Sequence, residues 1–217
     1  MKARILLYKS KLGDGHILDN AIGSWTWLWN QKLLRRLTPE QRAMIKAYSH
    51  IELWLPDENG LFIAADYHYS ITSHYAGTCY TSTMRYANGK DGTVKRPASE
   101  VLKNPGRLDY IEIDLEDEYM PLQIDYMDQS VAENKGYDKL AILSFFWIKR
   151  FHNALQYICS ERIQDYILYF AARWALKFRY ANLCRRNGRL VVPSPLSMAI
   201  LMVMAGLTIK PLIESEG

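Results

Sequence analysis

The clearest alternation of apolar and polar positions in the chain is YSHIELWL, at Tyr48–Leu55. Aliphatic side chains occupy every second position in its later part, at Ile51, Leu53 and Leu55. A period of two is typical of a strand, because successive side chains point to opposite faces of a sheet. We therefore predict a half-buried strand that presents His50, Glu52 and Trp54 together on the face opposite the aliphatic one.

Weaker patterns of the same kind predict further strands on both sides of this one. They lie at residues 3–8, 61–66, 81–87 and 110–115. The stretch NGKDG at residues 88–92 has the composition of a turn. We predict that residues 95–107 form a surface loop.

Helices are predicted from two capping signals and two longer tracts. The capping signals are TPEQ at residues 38–41 and SP at residues 194–195. An acidic start predicts a helix over residues 116–134. From Asn153 onward the sequence is again strongly helical, with an apolar stripe at residues 163–174. The tract 17–30 remains open between helix and strand. The fold class that follows is α+β, with a small, mostly antiparallel sheet flanked by helices.

The composition is that of a globular protein, with 49% hydrophobic and 23% charged residues in a chain of 217. The formal net charge is +4 and the isoelectric point is about 8.8, a mild excess of base. The arginines are scattered in pairs, without the clustered stripe and reading motif that nucleic-acid binding needs. We therefore expect no nucleic-acid partner.

The three cysteines, Cys79, Cys159 and Cys184, have no paired spacing. This argues against a disulfide scaffold and a zinc site, and we predict neither a metal nor a cofactor. The first residues contain too short an apolar run for a signal peptide, which predicts a cytoplasmic protein. The apolar tract at residues 196–209 is too short to span a membrane, so we predict a buried helix in a soluble chain.

Cys159 is the first candidate for chemistry. It lies in YICSERIQDY, four residues before Ile163, which places its sulfur on the apolar stripe of the predicted helix. A free cysteine in such a position is usually a small buried hydrophobe. It becomes a nucleophile where a histidine or a helix N-terminus stabilises the thiolate.

His50 is the histidine best placed to act as a base for this thiol. The other four lie in loops or in weakly patterned segments: His16, His68, His74 and His152. Only His50 lies on a strongly patterned strand, where a rigid scaffold can aim its ring. Glu52 on the same face could orient the imidazole, and Asp66 on the predicted returning strand is an alternative.

Together, SHIEL at residues 49–53 and CSE at residues 159–161 resemble the circularly permuted papain-like cysteine hydrolases. These are the NlpC-type amidases with their YiiX-like and lecithin–retinol-acyltransferase-like relatives, and the resemblance is closest to phage-encoded members. In that group the histidine strand precedes the nucleophile helix. ILLYKS near the start, GYD at residues 136–138 and PSPLSMAIL at residues 193–201 extend the similarity.

The resemblance implies a single permuted papain-like domain over residues 1–217, with insertions near 30–46 and 88–97. It also implies Cys159 as nucleophile and His50 as general base, with Glu52 as the third polar residue. Many permuted amidases carry a Glu on the strand that follows the histidine strand. This chain has Ala-Ala-Asp there, which leaves Glu52 and Asp66 as alternatives.

Trp54, on the same face as His50, would form a wall of the substrate site. The resemblance adds Ser160 and Glu161, which would belong to the turn that holds the thiolate and the oxyanion. The function it implies is cleavage of a peptide, isopeptide or peptidoglycan stem-peptide amide through an acyl-enzyme. Two alternatives remain open: a virion-associated or binding protein that keeps the fold without the chemistry, and a lipid acyltransferase.

Overall fold

The six strands found among the described residues form one antiparallel sheet. The computed structural model describes residues 2–10, 17–63, 75–83, 92–115, 120–133, 136, 159, 163–164, 166–167 and 194–212. The strands are β1 (Lys2–Lys9), β2 (Tyr48–Leu55), β3 (Thr78–Thr83), β4 (Gly92–Pro97), β5 (Leu108–Asp114) and β6 (Ile209–Pro211). Their order in the sheet is β4-β3-β2-β1-β5-β6, which places β2 in its interior.

The described helices lie between these strands along the chain. They are α1 (Ile17–Trp29), α2 (Gln31–Leu34), α3 (Pro39–Met44), α4 (Ala98–Val101), α5 (Met120–Ala132) and α6 (Pro195–Met204), with a short 3₁₀ turn at Pro105–Arg107. The predicted α+β class with an antiparallel sheet is confirmed. Within the described residues, no helix is long and apolar enough to cross a membrane.

Both predicted capping signals are confirmed. Thr38 accepts a hydrogen bond from the Gln41 backbone N–H, and the Gln41 side chain accepts one from the Thr38 backbone N–H, which is a complete capping box. At α6 the Ser194 hydroxyl accepts from the backbone N–H of Ser197. Residues Pro195 to Val203 of that helix are all buried, as its continuous apolar sequence predicts.

The tract that was open between helix and strand is α1. Its side chains at positions 22 and 26, four residues apart, are buried on one side. Thr26 donates its hydroxyl hydrogen to the Ile22 carbonyl oxygen at 2.7 Å, so a buried polar group is satisfied within the helix itself. The alternating tryptophans, by contrast, are distributed around the helix, and Trp29 is 49% exposed.

The surface loop predicted over residues 95–107 is wrong. Its first part belongs to β4, which pairs with β3 from Thr78↔Pro97 to Thr83↔Gly92, and α4 follows directly. The sequence of this stretch is typical of a surface loop because it contains Lys, Arg and Pro. The same residues are common in edge strands, where they protect the sheet from further pairing. The strand predicted at residues 61–66 is represented among the described residues by a single bridge, Ile63↔Tyr75.

Strand β2 is covered on both faces, which corrects the prediction of a half-buried strand. Ile51, Leu53 and Leu55 pack in the main core with α6. The opposite face carries a second cluster that includes Leu6, Trp54, Cys79, Ala98, Leu102, Leu108 and Leu212. Glu52 is therefore fully buried, while the His50 side chain remains 23% exposed at the end of this face.

Trp54, expected as a wall of the substrate site, lies inside the second cluster with no exposed surface. Its indole N–H donates to the Ala76 carbonyl oxygen at 2.8 Å. Phe62 and Tyr75 meet its ring edge-on, and the Arg4 guanidinium lies 5.0 Å from its centroid. A side chain enclosed in this way offers no surface to a substrate, so Trp54 supports the sheet instead.

Replacing Trp54 by alanine should destabilise the fold. Deleting a fully buried tryptophan leaves a cavity, and such changes lower the free energy of unfolding by about 3–5 kcal/mol. Chemical denaturation followed by circular dichroism measures the loss. Leu28→Ala is the control, because Leu28 is 63% exposed and a change there should stay within about 0.5 kcal/mol. A loss for Trp54→Ala as small as the control would contradict its buried position.

Candidate active site

His50 lies on β2 beside β1 and β3, with its ring on the face that carries the second cluster. Its partner across the β1–β2 ladder is Tyr8, and the two rings meet edge to face with centroids 5.1 Å apart. The ladder is irregular at Tyr8/Lys9, immediately beyond this pair. The imidazole is therefore held against a neighbouring ring at the point where regular pairing ends.

Thr81 on β3 makes the shortest polar contact to the imidazole. Its Oγ1 lies 3.0 Å from His50 Nε2 and 2.9 Å from the carbonyl oxygen of Ile51. A hydroxyl has one hydrogen, and a carbonyl oxygen can only accept, so the Thr81 hydrogen goes to Ile51. Its oxygen is then left to accept from a protonated Nε2 of His50. This contact selects the tautomer of the ring.

Glu52 is the carboxylate nearest to the same ring nitrogen. Its Oε1 lies 3.5 Å from His50 Nε2, longer than a good hydrogen bond but close for two charges. The Tyr8 hydroxyl donates to Oε1 at 2.9 Å, and Arg96 Nη2 donates to the same oxygen. Burial raises the pKa of Glu52, but the charge and hydrogen bond of His50, with Arg96 and Tyr8, outweigh it and leave the pKa below its usual value.

Cys159 comes to the imidazole from a helical segment packed in the main core. Its side chain is 3% exposed and shares its buried stripe with Ile163, Tyr166 and Ile167, as the spacing predicts. Burial alone lowers the pKa of His50, yet the charge and hydrogen bond of Cys159, followed by those of Glu52, raise it well above its ordinary value. Both effects of Cys159 require its sulfur to lie close to the ring, and together with Glu52 they stabilise the imidazole in its charged form.

The structure brings together the three residues predicted to carry chemistry: Cys159, His50 and Glu52. The other predicted site residues, Asp66, Ser160 and Glu161, lie outside the described residues.

Sequence reasoning missed three side chains of this site: Tyr8, Thr81 and Arg96. Tyr8 lies on β1 with the same parity as Leu6, and its cross-strand pairing with His50 depends on the register of β1 and β2. Thr81 and Arg96 lie on β3 and β4, and no local pattern links either residue to β2. The alternation of side chains along a strand could have assigned each of the three residues to a face of the sheet. Only the pairing of the four strands shows that the three side chains lie together.

A thiol, an imidazole and a buried carboxylate in contact form a constellation suited to nucleophilic chemistry. Within the described residues, no group of three or more His, Cys, Asp or Glu side chains could hold a metal ion. No protein-family model, curated protein or solved structure matches this chain. The function is therefore inferred from the geometry of the site.

Replacing Glu52 by glutamine should change how the free energy of unfolding depends on pH in the acid range. Because the folded-state pKa of Glu52 lies below its usual 4.5, its ionisation contributes stability that is present above that pH and is lost as the pH falls through the folded-state value. Urea denaturation over an acid pH series should show a falling free energy of unfolding for the wild type and a shallower fall for Glu52→Gln.

Glu58→Gln provides the matched control for the loss of one negative charge, because Glu58 is exposed. Equal slopes for the wild type and Glu52→Gln would contradict the buried ion pair.

Proposed function

We propose that this chain is a thiol-dependent hydrolase that cleaves an amide through an acyl-enzyme, with Cys159 as the nucleophile and His50 as the general base. The single observation that carries the proposal is that the Cys159 thiol lies near enough to the His50 imidazole to raise the pKa of the ring, with Glu52 on the same imidazole. A thiolate is the reactive form of cysteine, and an adjacent imidazolium stabilises it. Of the two cysteines described, Cys79 has no such partner: burial raises the pKa of its thiol, and the charge of Glu52 adds to the effect.

The two ring nitrogens of His50 have different tasks in this proposal. Thr81 and Glu52 face Nε2, which leaves Nδ1 to exchange a proton with the sulfur. The thiolate attacks the carbonyl carbon, and the imidazolium gives its proton to the leaving amine as the C–N bond breaks. The neutral imidazole then takes a proton from water. The resulting hydroxide releases the acid, and the thiolate–imidazolium pair is restored.

The order of the elements supports the resemblance to permuted papain-like hydrolases. The strand of His50 precedes the helical segment of Cys159, and an antiparallel sheet supports the base. On this interpretation the substrate is a peptide, isopeptide or peptidoglycan stem-peptide amide, and phage-encoded relatives would act within the cytoplasm or a virion. We assign Glu52 as the third residue, because its carboxylate lies beside the imidazole.

The alternative of a binding or virion-associated protein without chemistry is less well supported. A fold that has lost its activity has no need to hold a thiol, an imidazole and a buried carboxylate in contact. Lipid acyl transfer would use the same nucleophile and differs in the acceptor, since the acyl group passes to a second substrate instead of to water. Product analysis with amide and ester substrates separates these two reactions.

Iodoacetamide should label Cys159 faster than Cys79 or Cys184 at neutral pH. The reason is that Cys159 has an imidazole partner that favours its thiolate, whereas burial and the charge of Glu52 raise the pKa of the Cys79 thiol and disfavour its thiolate. Mass spectrometry of peptides after timed labelling measures the three rates. His50→Ala should remove most of the difference.

Cys159→Ser is the matched control for this labelling experiment, since it removes the reactive sulfur and keeps a similar volume. Labelling of all three cysteines at one rate, or a rate at Cys159 that does not change in His50→Ala, would overturn the proposal.

Replacing Thr81 by valine should slow the labelling of Cys159 by roughly fivefold, since the hydrogen bond to Nε2 that selects the tautomer is lost and is worth on the order of 1 kcal/mol. Thr81→Ser keeps the hydroxyl and should retain a rate close to that of the wild type. Rates at Cys159 in folded protein, compared at one pH, test this role. Equal rates in Thr81→Val and Thr81→Ser would show that the hydroxyl does not orient His50.

A further inference from the structure

We propose that Arg96 is a positioning residue of this site: from the edge strand β4 it holds Glu52 ionised and aimed at His50, and so sets the pH range over which Cys159 is reactive. The inference rests on the proposed function and adds to it a residue that acts through Glu52. It also gives a role to part of the apparent insertion near residues 88–97, because that segment contains β4.

The contact crosses two strand boundaries of the sheet. Arg96 pairs with Cys79 on β3, and Cys79 pairs with Trp54 on β2, two residues from Glu52 on the same face. The guanidinium reaches diagonally over β3 to the carboxylate, with 27% of its side chain exposed against 1% for Glu52. Tyr8 approaches the same carboxylate from β1 on the other side.

The oxygen of Glu52 that accepts these hydrogen bonds indicates that Arg96 positions the carboxylate. Tyr8 and Arg96 both donate to Oε1, the oxygen that faces His50 Nε2. Oε2 of Glu52 and Nε of Arg96 are buried and have no hydrogen-bond partner among the described residues. An arginine that only neutralised a buried carboxylate would favour the paired geometry in which two N–H groups meet two oxygens. Here the donors instead converge on the oxygen nearest the imidazole.

The charges around Glu52 explain why Arg96 matters for reactivity. Among the described residues, four titratable groups face His50 and Glu52 from the neighbouring elements. They are Tyr8 on β1, Cys79 on β3, Arg96 on β4 and Cys159 on its helical segment. Of these only Arg96 is a permanent cation. Without it, burial favours the neutral acid form of Glu52, which gains a proton at higher pH. A neutral Glu52 no longer stabilises the imidazolium, and the thiolate of Cys159 loses its partner.

Arg96→Gln should therefore move the acid limb of Cys159 labelling to higher pH. A shift of about one pH unit makes labelling roughly tenfold slower at a pH on that limb, while the alkaline plateau changes little. Tyr8→Phe removes one donor to the same oxygen and should give a smaller shift in the same direction. Arg96→Lys keeps the charge and should remain near the wild-type profile. Iodoacetamide rates at Cys159 across a pH series in the full chain provide the measurement.

A double variant separates positioning from a general effect on structure. If Arg96 acts through Glu52, Arg96→Gln should cause no further shift in a Glu52→Gln background, since the group it holds is no longer ionisable. Equal shifts with and without Glu52, or an unchanged acid limb in Arg96→Gln, would overturn the inference. If Arg96→Gln does not fold, Tyr8→Phe with and without Glu52→Gln is decisive by the same criteria.

The wild-type rates distinguish this inference from the proposed function. Failure of Cys159 to label selectively in the wild type would overturn both. Selective labelling that depends on His50 and ignores Arg96 and Tyr8 would leave the hydrolase proposal in place and remove only the role of Arg96.

Discussion

The burial of one carboxylate, that of Glu52, is the constraint on which the arrangement of this sheet depends. Moving an ion of this kind out of water costs several kcal/mol even after the surroundings relax, unless partners compensate it. The compensation comes from three strands: Tyr8 on β1, His50 on β2 itself and Arg96 on β4. A slip of one residue in any of these strands would turn its partner to the other face and leave the charge alone.

The same constraint produces a rigid support for the His50 side chain. Strand β2 is covered by two apolar clusters, so the backbone under His50 is fixed from both sides. Thr81, itself buried, forms a hydrogen bond with Nε2 of the ring and so fixes its orientation. Catalytic groups must be held to within about half an ångström to be useful, and strands do this better than loops. The helical segment then has to place only one atom, the sulfur of Cys159, beside the imidazole.

The sequence was sufficient for the local features and for one non-local contact. Period-two alternation located β2 and placed His50 and Glu52 on one face, because parity is a property of the backbone alone. Capping residues located the starts of α3 and α6, since those hydrogen bonds span three residues. The contact of Cys159 with His50 followed from a resemblance to known proteins, since no local pattern joins residues more than a hundred positions apart.

What the sequence could not supply was the pairing of β3 and β4 with β2. Arg96 lies in a stretch that reads as a polar loop, and its partner is forty-four residues earlier in the chain. The sequence did not predict the burial of Glu52 either, because an alternating strand of this composition usually has one face in water. Only the strand order shows that the second face is covered and that a charge on it needs a cation.

The position of Glu52 relative to His50 also has a physical explanation. Residues two apart on one strand are separated by about 6.6 Å along the chain, so their side chains meet side by side and rarely aim at one another. Glu52 accordingly stops at 3.5 Å from the imidazole, whereas Thr81 from the neighbouring strand reaches 3.0 Å. Two residues therefore share this role. The Thr81 hydroxyl orients the imidazole through a hydrogen bond, and the Glu52 carboxylate stabilises its positive charge. A single Glu on the following strand could combine both tasks. A chain without one needs a second residue, Thr81, and a cation to keep the more distant carboxylate ionised.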